Sequence, residues 1–169
     1  MKNQKGFTLI ELLLVLAIIG IISAIAVPSL LSQRSRARDK AAISNMLGRI
    51  NDLAGQYDKA KEAGSTTIAA DLGVYLGATA ATDRNPWDTT EGAFQSGTAG
   101  AAITLETIAG ATPTLIETSI RGKATTLGRP VFGILLPGAA TPGFLAGAVL
   151  CKNDQTDKSL YVSKVVAIE

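Results

Sequence analysis

The chain has 169 residues, a length that suits one domain with a single helix-and-sheet core. It contains 16 Lys and Arg residues and 14 Asp and Glu residues, and two of the lysines, Lys2 and Lys5, lie among the first six residues. The chain from Phe7 onward is therefore balanced in charge, which disfavours a general nucleic-acid binder because such a protein needs a basic surface.

A short basic N-terminus is followed by a long apolar stretch that contains one carboxylate. Between Gly6 and Gln33 the only charged side chain is Glu11. About 20 apolar residues cross the hydrocarbon core of a bilayer, and a carboxylate near its centre costs about 2.5–3.5 kcal/mol. The sequence therefore predicts that Glu11 has a partner.

Two ordinary interpretations of this stretch leave Glu11 without a role. In the first, the stretch is a secretory signal, and Ala24-Ile25-Ala26 offers a small-x-small cleavage site. A soluble exported binding domain would then begin at Val27. In the second, the stretch is a plain single-span membrane anchor.

A third interpretation uses Glu11 together with the residues around it. The stretch Gly6-Phe7-Thr8-Leu9-Ile10-Glu11, after a short basic leader and before an apolar segment, resembles the N-terminal signature of type IV pilins and pseudopilins. The resemblance implies that a prepilin peptidase removes the leader, residues 1–6, by cutting between Gly6 and Phe7. It also implies that the new amine of Phe7 is methylated and that the apolar segment stays on the mature protein.

This cleavage would give Glu11 a partner of opposite charge. The amine of Phe7 would lie about one helical turn from Glu11 in the same chain. A neighbouring subunit could present its own amine instead, which would fix the axial register of assembly. We therefore expect Glu11 and Phe7 to form the pair on which assembly depends.

One long helix is predicted from Phe7 to about Glu62. Residues 7–33 form its transmembrane or filament-core part, and residues 34–63 continue it as an amphipathic helix. Gly20 and Pro28 are its weak points, since proline removes a backbone hydrogen bond. Two roles stay open for them: a simple transmembrane kink, or a hinge that lets the segment unwind as subunits pack. The amphipathic part carries an apolar stripe at helical spacing, which is expected to lie against a sheet: Ile43, Met46, Leu47, Ile50, Leu53, Ala54 and Tyr57.

A basic cluster follows the apolar stretch and complicates the membrane orientation. Arg34, Arg36, Arg38 and Lys40 outnumber the two leader lysines, so the positive-inside rule would place the C-terminal side in the cytoplasm. The pilin-like signature requires the leader to face the cytoplasm, and we keep that orientation. Contacts with lipid headgroups or with acidic groups of neighbouring subunits are the two roles considered for the cluster.

Residues 64–100 are small and polar, and they are predicted to form a connecting loop with a short helix at Ile68–Leu76. Trp87, within Asn85-Pro86-Trp87-Asp88, is expected to anchor this loop by packing into the core. Similar Pro-Trp sequences in several pilins and pseudopilins support that expectation.

Residues 101–169 are predicted to form an antiparallel sheet, because short β-branched or alternating runs are separated by turn signals. The expected strands are Ala101–Ala109, Thr114–Ile120, Pro130–Leu136, Phe144–Cys151 and Ser159–Ile168. With the long helix they give an α+β fold, which agrees with the ladle shape of type IV pilins. Many pilins close this region with a disulfide, but Cys151 is the only cysteine here.

Neither a metal site nor catalysis is expected. Asn153, Asp154 and Asp157 could supply oxygens for calcium, but polar residues in a turn are more often explained by solvated turn chemistry. The chain has no histidine, which excludes Ser-His and Cys-His pairs, and it has no phosphate-binding glycine loop. We therefore predict no enzyme and no cofactor.

Together these observations predict a structural subunit of a type IV pilus-like filament. The subunit would be stored in the bacterial inner membrane and polymerise with copies of itself into an extracellular fibre, with the prepilin peptidase and a pilus assembly machinery as partners. A pseudopilin of a type II secretion or DNA-uptake system is the first alternative. The soluble exported domain that begins after Ala26 is the second.

Overall fold

The computed structural model describes residues 6–79, 83–90, 92, 94, 105–108, 110, 112–138, 142–152 and 161–169. The elements in chain order are α1 (Leu9–Glu62), α2 (Ile68–Thr79), β1 (Glu106–Thr107), α3 (Pro113–Arg121), β2 (Val131–Leu135), β3 (Gly143–Leu150) and β4 (Tyr161–Ile168). The chain divides into two compact units, Met1–Ser35 and Arg36–Glu169. The expected long helix and the short helix after it are both confirmed.

The first unit contains the apolar part of α1, and its large side chains are exposed in every direction around the helix. Leu9 is 76% exposed and Ile25 is 75% exposed. In the part of the chain that the structure describes, α1 is the one helix long and apolar enough to cross a membrane. Pro28 lies inside this helix, which continues on both sides of it.

The second unit has a core built on one face of α1. The buried apolar side chains of that face recur at intervals of three or four residues: Ala42, Met46, Ile50, Leu53 and Tyr57. They pack with Leu72 and Leu76 of α2 and with residues of the sheet. The expected apolar stripe is confirmed at Met46, Ile50, Leu53 and Tyr57, and Ile43 and Ala54 pack against this core while partly buried. Leu47 is 37% exposed, and Ala42 was not among the expected residues.

The sheet has the order β1-β2-β3-β4. Strands β2, β3 and β4 are antiparallel, with Gly133 opposite Ala146 and Ala146 opposite Val165. Alternate residues of β3 belong to two separate core clusters, because successive side chains of a strand point to opposite faces. Leu145 packs in the cluster of α1, whereas Phe144 packs in the cluster of α3. The α+β class is therefore confirmed, with helices on both faces of the sheet.

Two of the expected antiparallel strands are wrong: one is a helix, and the other is short and pairs in parallel. Thr114–Ile120 is not a strand but lies in α3, where Pro113 suits the first turn and the buried Ile116 and Ile120 stand one turn apart. Within Ala101–Ala109 the described strand is only Glu106–Thr107, and it pairs parallel with β2. A helix between β1 and β2 is the kind of connection that a parallel pair requires.

The remaining expected strands correspond to β2, β3 and β4, with small differences at their ends. Ser159 lies outside the described residues, as do Asn153, Asp154 and Asp157, the oxygen donors considered for calcium. Tyr57 of α1 donates a hydrogen bond of 3.2 Å to the backbone carbonyl of Glu169, just after β4. The end of the chain is thus tied to the core helix.

Candidate functional site

The N-terminal end of α1 is closed by reciprocal hydrogen bonds between Thr8 and Glu11. The backbone N–H and the hydroxyl of Thr8 donate to Oε2 of Glu11 at 2.9 and 2.8 Å. The backbone N–H of Glu11 donates to the Thr8 hydroxyl at 3.3 Å. This arrangement is a capping box, in which two side chains satisfy backbone donors that the first helical turn leaves open.

The sequence reasoning identified Glu11 and missed Thr8, although the pattern Thr-x-x-Glu before an apolar run is the known signal for such a cap. Both Thr8 donors use Oε2. Among the hydrogen bonds of the described residues, none is made to Oε1 of Glu11. The carboxylate therefore caps its own helix and retains one oxygen for a second partner.

The other predicted residues of this segment are not required by packing within the chain. Phe7 is 85% exposed. A Cβ atom added to Gly6 or to Gly20 would have no neighbour within 4 Å. Contacts among the described residues therefore do not require glycine at either position.

Trp87 lies at a junction of three chain segments centred on the buried Asp39 of α1. Asp39 is 4% exposed, and its Oδ1 accepts hydrogen bonds from the Trp87 indole N–H and from the Lys152 backbone N–H, both at 3.0 Å. The guanidinium of Arg38 and the ammonium of Lys152 lie 5.4 and 5.5 Å from the centre of the Trp87 ring. These distances are within the range of cation–π attraction.

The backbone around Trp87 is also held closely. Asn85 is 1% exposed, accepts a hydrogen bond of 3.0 Å from the Trp87 N–H and donates one of 3.3 Å to the carbonyl of Leu127. Gly128 has φ +73°, and a Cβ atom there would lie 2.5 Å from Cδ1 of Trp87. Only glycine fits this turn without displacing the indole.

The sequence reasoning found Trp87 but missed Asp39, Asn85 and Gly128. The one available signal was a lone acidic residue in the basic run from Arg34 to Lys40. Its buried hydrogen bonds come from segments 48 and 113 residues away, which no local pattern predicts.

A second polar contact ties α1 to the segment after α2. Arg49 donates to both carboxylate oxygens of Asp83 at 2.7 and 3.1 Å, and to Asp52 at 2.9 Å. The hydrogen bonding with Asp83 raises the pKa of Arg49 further above its ordinary value. The guanidinium therefore stays charged at any physiological pH, and this contact is structural.

Within the described ranges, no group of three His, Cys, Asp or Glu side chains is placed to hold a metal ion. The polar contacts described above are a helix cap, a junction around Asp39 and the ion pair of Arg49 with Asp83. The residues with a candidate role are thus concentrated at the start of α1.

Residues 1–27 match the family model of the prokaryotic N-terminal methylation motif, and the chain carries that motif. The match begins in the basic leader and ends just before Pro28, so it includes Gly6, Phe7 and Glu11. The resemblance of this segment to type IV pilins and pseudopilins is confirmed.

The curated relatives fall into two groups. The type IV wide pilus major component PilA4 of Thermus thermophilus is 62% identical over 39 residues, which are 23% of this chain and 30% of that protein. A fimbrial protein of Pseudomonas aeruginosa is 52% identical over 46 residues, 27% of this chain and 30% of the relative. The type II secretion system core protein G of Vibrio cholerae is 31% identical over 94 residues, 56% of this chain and 62% of the relative.

The similarity to pilus components is thus confined to a short segment, since the chain spans 30% of the length of each of the two pilus relatives. No solved structure matches the chain.

Proposed function

We propose that this protein is the structural subunit of a type IV pilus-like extracellular filament. The observation that carries the proposal is that the methylation motif overlaps the start of a helix whose apolar side chains are exposed on all sides. The same helix continues into a second unit that has its own core. The relatives named as pilus components and fimbrial proteins support the same conclusion.

The exposed part of α1 explains why such a subunit would need a membrane first and neighbours later. Burying large aliphatic side chains is worth about 1.5–3 kcal/mol each relative to leaving them in water. Lipid covers them while the chain is stored in the bacterial inner membrane, and the helices of other copies cover them in the fibre. Because lipid is as apolar as the helices, helix packing and specific polar contacts must drive the exchange.

The first specific step is processing by a prepilin peptidase between Gly6 and Phe7, followed by methylation of the Phe7 amine. The proposal is supported by the open surroundings of Gly6 and by the exposure of Phe7. A cut there removes Lys2 and Lys5 and leaves the capping pair of Thr8 and Glu11 on the mature chain.

The second step is recognition between subunits through Glu11. Thr8 uses Oε2 of the Glu11 carboxylate, so Oε1 can accept a hydrogen bond from the amine of Phe7 of a neighbouring subunit. This pair would neutralise two charges in an apolar bundle and set the axial register. In this assembly step, a pilus assembly machinery extracts the subunit from the membrane.

A pseudopilin of a type II secretion system is the second candidate. The match to core protein G favours it, because that match extends over 94 residues, further than the pilus matches. The soluble domain cut after Ala26 is not favoured, since it leaves the methylation motif without a role. None of the relatives named above is named as an enzyme, and we propose no catalytic activity.

The intact mass of the mature chain tests the processing step. We expect a chain that begins at Phe7 and carries one methyl group, whereas a chain that begins at Val27 would contradict the proposal. Gly6→Leu should leave an uncut, membrane-held precursor. Asn3→Leu, which lies within the leader and away from the cut, is the matched control and should be processed normally.

Purification of sheared surface fibres separates the two candidates. Long fibres made chiefly of this chain support a pilin. Processed chain that stays in the membrane fraction, with secretion of other proteins lost when the chain is absent, supports a pseudopilin.

A further inference from the structure

Basic side chains surround Trp87 and the adjoining turns of α1 at the start of the second unit. We call Arg36, Arg38, Lys40 and Lys152, together with Trp87, the basic collar. Arg36, Lys40 and Lys152 are exposed, and Arg38 and Trp87 are half-buried. Arg38 and Lys152 are held in place by their contacts with the indole ring.

The cations of the collar are not confined to one side of α1. A helix advances about 100° per residue, so Arg36 and Lys40 lie on one side while Arg38 lies on nearly the opposite side. Charges on both sides fit an occupant that surrounds the helix, as a lipid surface does.

The positive charge of the collar is only partly offset within the part of the chain that the structure describes. The acidic residue among these cations, Asp39, is buried and accepts hydrogen bonds from Trp87 and Lys152. In the described residues, no salt bridge involves Arg36 or Lys40. The collar therefore presents uncompensated cations to the outside.

The position of the collar in the sequence points to the nature of its partner. Arg36, Arg38 and Lys40 follow the uncharged stretch Leu12–Gln33 within about two helical turns. Tryptophan is enriched at membrane–water interfaces, where lysine and arginine extend their charged ends toward the headgroups.

We propose that the basic collar binds anionic phospholipid headgroups in the leaflet at the C-terminal end of the apolar segment. This inference rests on the proposed membrane storage of the subunit and adds a lipid preference to it. The phosphates neutralise the exposed cations while Asp39 keeps Trp87 oriented. The arrangement also explains why more cations follow the apolar segment than precede it, which the positive-inside rule would not predict for a leader in the cytoplasm. The cations that follow the segment are held by lipid at the membrane surface away from the cytoplasm.

The chain contains one tryptophan, so the fluorescence of Trp87 reports on the collar directly. The full chain is reconstituted into vesicles of phosphatidylcholine alone or with phosphatidylglycerol, each with the same small fraction of headgroup-nitroxide phosphatidylcholine as quencher. We expect stronger quenching of Trp87 in the anionic vesicles and a loss of the difference at high salt.

Arg36→Gln with Lys40→Gln is the test variant, since neither side chain supports the fold through a described ion pair. Each cation near an anionic surface contributes about 1 kcal/mol, so removing two changes the binding equilibrium by about 30-fold. The response to phosphatidylglycerol should therefore fall strongly, although Arg38 and Lys152 remain. Lys59→Gln with Lys164→Gln removes the same charge from two other exposed positions and should leave the response unchanged.

Equal quenching in neutral and anionic vesicles overturns the proposal, as does an unchanged response in the test variant. A third result would also overturn the proposal: at fixed lipid composition, the quenching or emission of Trp87 changes with the number of protein copies per vesicle. That result would indicate that the collar binds a neighbouring subunit. Fibre yield is measured separately. A normal yield beside equal quenching would leave the filament function intact, whereas a chain that is absent from every vesicle type would contradict the filament function itself.

Discussion

The two units of this chain contain the same aliphatic residue types in opposite environments, although α1 contributes to both. Leu16 in the first unit is 58% exposed, whereas Leu53 in the second is fully buried. The difference follows from the distribution of apolar residues along the helix. In the second unit they form one stripe that α2 and the sheet cover, and in the first they lie on all sides.

This comparison shows which unit can be stable alone. The second unit buries its apolar side chains against its own chain, as a folded domain does. The first unit has no described apolar partner within the chain, and under the proposed function lipid or other copies cover it. Stability and assembly should therefore respond to different substitutions.

The largest expected effect lies in the first unit and concerns assembly alone. Glu11→Val leaves the buried amine of the neighbouring subunit without its partner, which costs about 3–5 kcal/mol. We expect processing and membrane storage to continue while the yield of sheared fibres falls by at least about tenfold. The melting temperature of the second unit should not change.

Glu11→Gln separates pairing from capping. Glutamine can replace glutamate in a capping box but carries no charge. Loss of fibres in both variants supports the ion pair, and loss in the valine variant alone supports the helix cap. Normal fibre yield from both would contradict any assembly role for Glu11.

A matched pair of leucine substitutions tests the comparison in the second unit. Leu53→Ala removes a fully buried side chain, which should destabilise the second unit by about 2–5 kcal/mol. Leu16→Ala makes the same chemical change in an exposed position and should leave thermal unfolding in detergent unchanged. Circular dichroism measures both, and an equal loss of stability would contradict the division into two units.

The junction around Asp39 should have a smaller effect. Asp39→Ala leaves the indole N–H of Trp87 and the backbone N–H of Lys152 without their acceptor, which should cost about 2–4 kcal/mol. Asp39→Asn keeps an acceptor oxygen and should cost clearly less. Denaturant unfolding followed by Trp87 emission provides the measurement, and equal stability of the two variants would argue against the hydrogen bonds.

The hinge predicted at Gly20 and Pro28 concerns the fibre rather than the subunit. We expect a density map of the fibre to show weakened helical hydrogen bonding near Ala24–Pro28, with a regular helix from about Ser32. Pro28→Ala should restore that bonding and stiffen the fibre, which its persistence length measures. A continuous, unkinked helix through Pro28 in the fibre would remove the hinge.

The smallest expected effect is a pH response of the turn that follows Trp87. The hydroxyl and the backbone N–H of Thr90 donate to Asp88 at 2.6 and 2.9 Å, and these bonds lower the pKa of Asp88 below its ordinary value of 3.8. The contribution of Asp88 to the free energy of unfolding is therefore present above pH 3.8. It is lost as the pH falls through the lower pKa that Asp88 has in the folded chain. The amide resonance of Thr90 should titrate with that pKa, and Asp88→Asn should abolish the titration.

The sequence predicted the parts of the fold whose signals are local. The helical period of Met46, Ile50 and Leu53 corresponds to the buried face of α1. The short β-branched or alternating runs correspond to β2, β3 and β4, and β2 and β3 are buried on both faces. The segment Thr114–Ile120 misled because threonine and isoleucine favour strands. Pro113 at the first turn and the burial of Ile116 and Ile120 on one side made it a helix instead.

The candidate site was predictable to a similar extent. The methylation motif is contiguous, so Gly6, Phe7 and Glu11 could be found together. The Asp39 junction joins segments that are far apart in sequence, and only the folded chain brings Asp39, Trp87 and Lys152 together. The parallel pairing of β1 could not be predicted for the same reason, since it depends on where α3 returns the chain.

The burial of Cys151 at the end of β3 has a consequence for the timing of folding. It is the only cysteine in the sequence, so the native state needs no thiol oxidation and can form equally in a reducing or an oxidising compartment. Completion of the second unit is therefore uncoupled from the redox enzymes of export. Because the thiol is fully enclosed, its alkylation rate would measure how often the core of the second unit opens transiently.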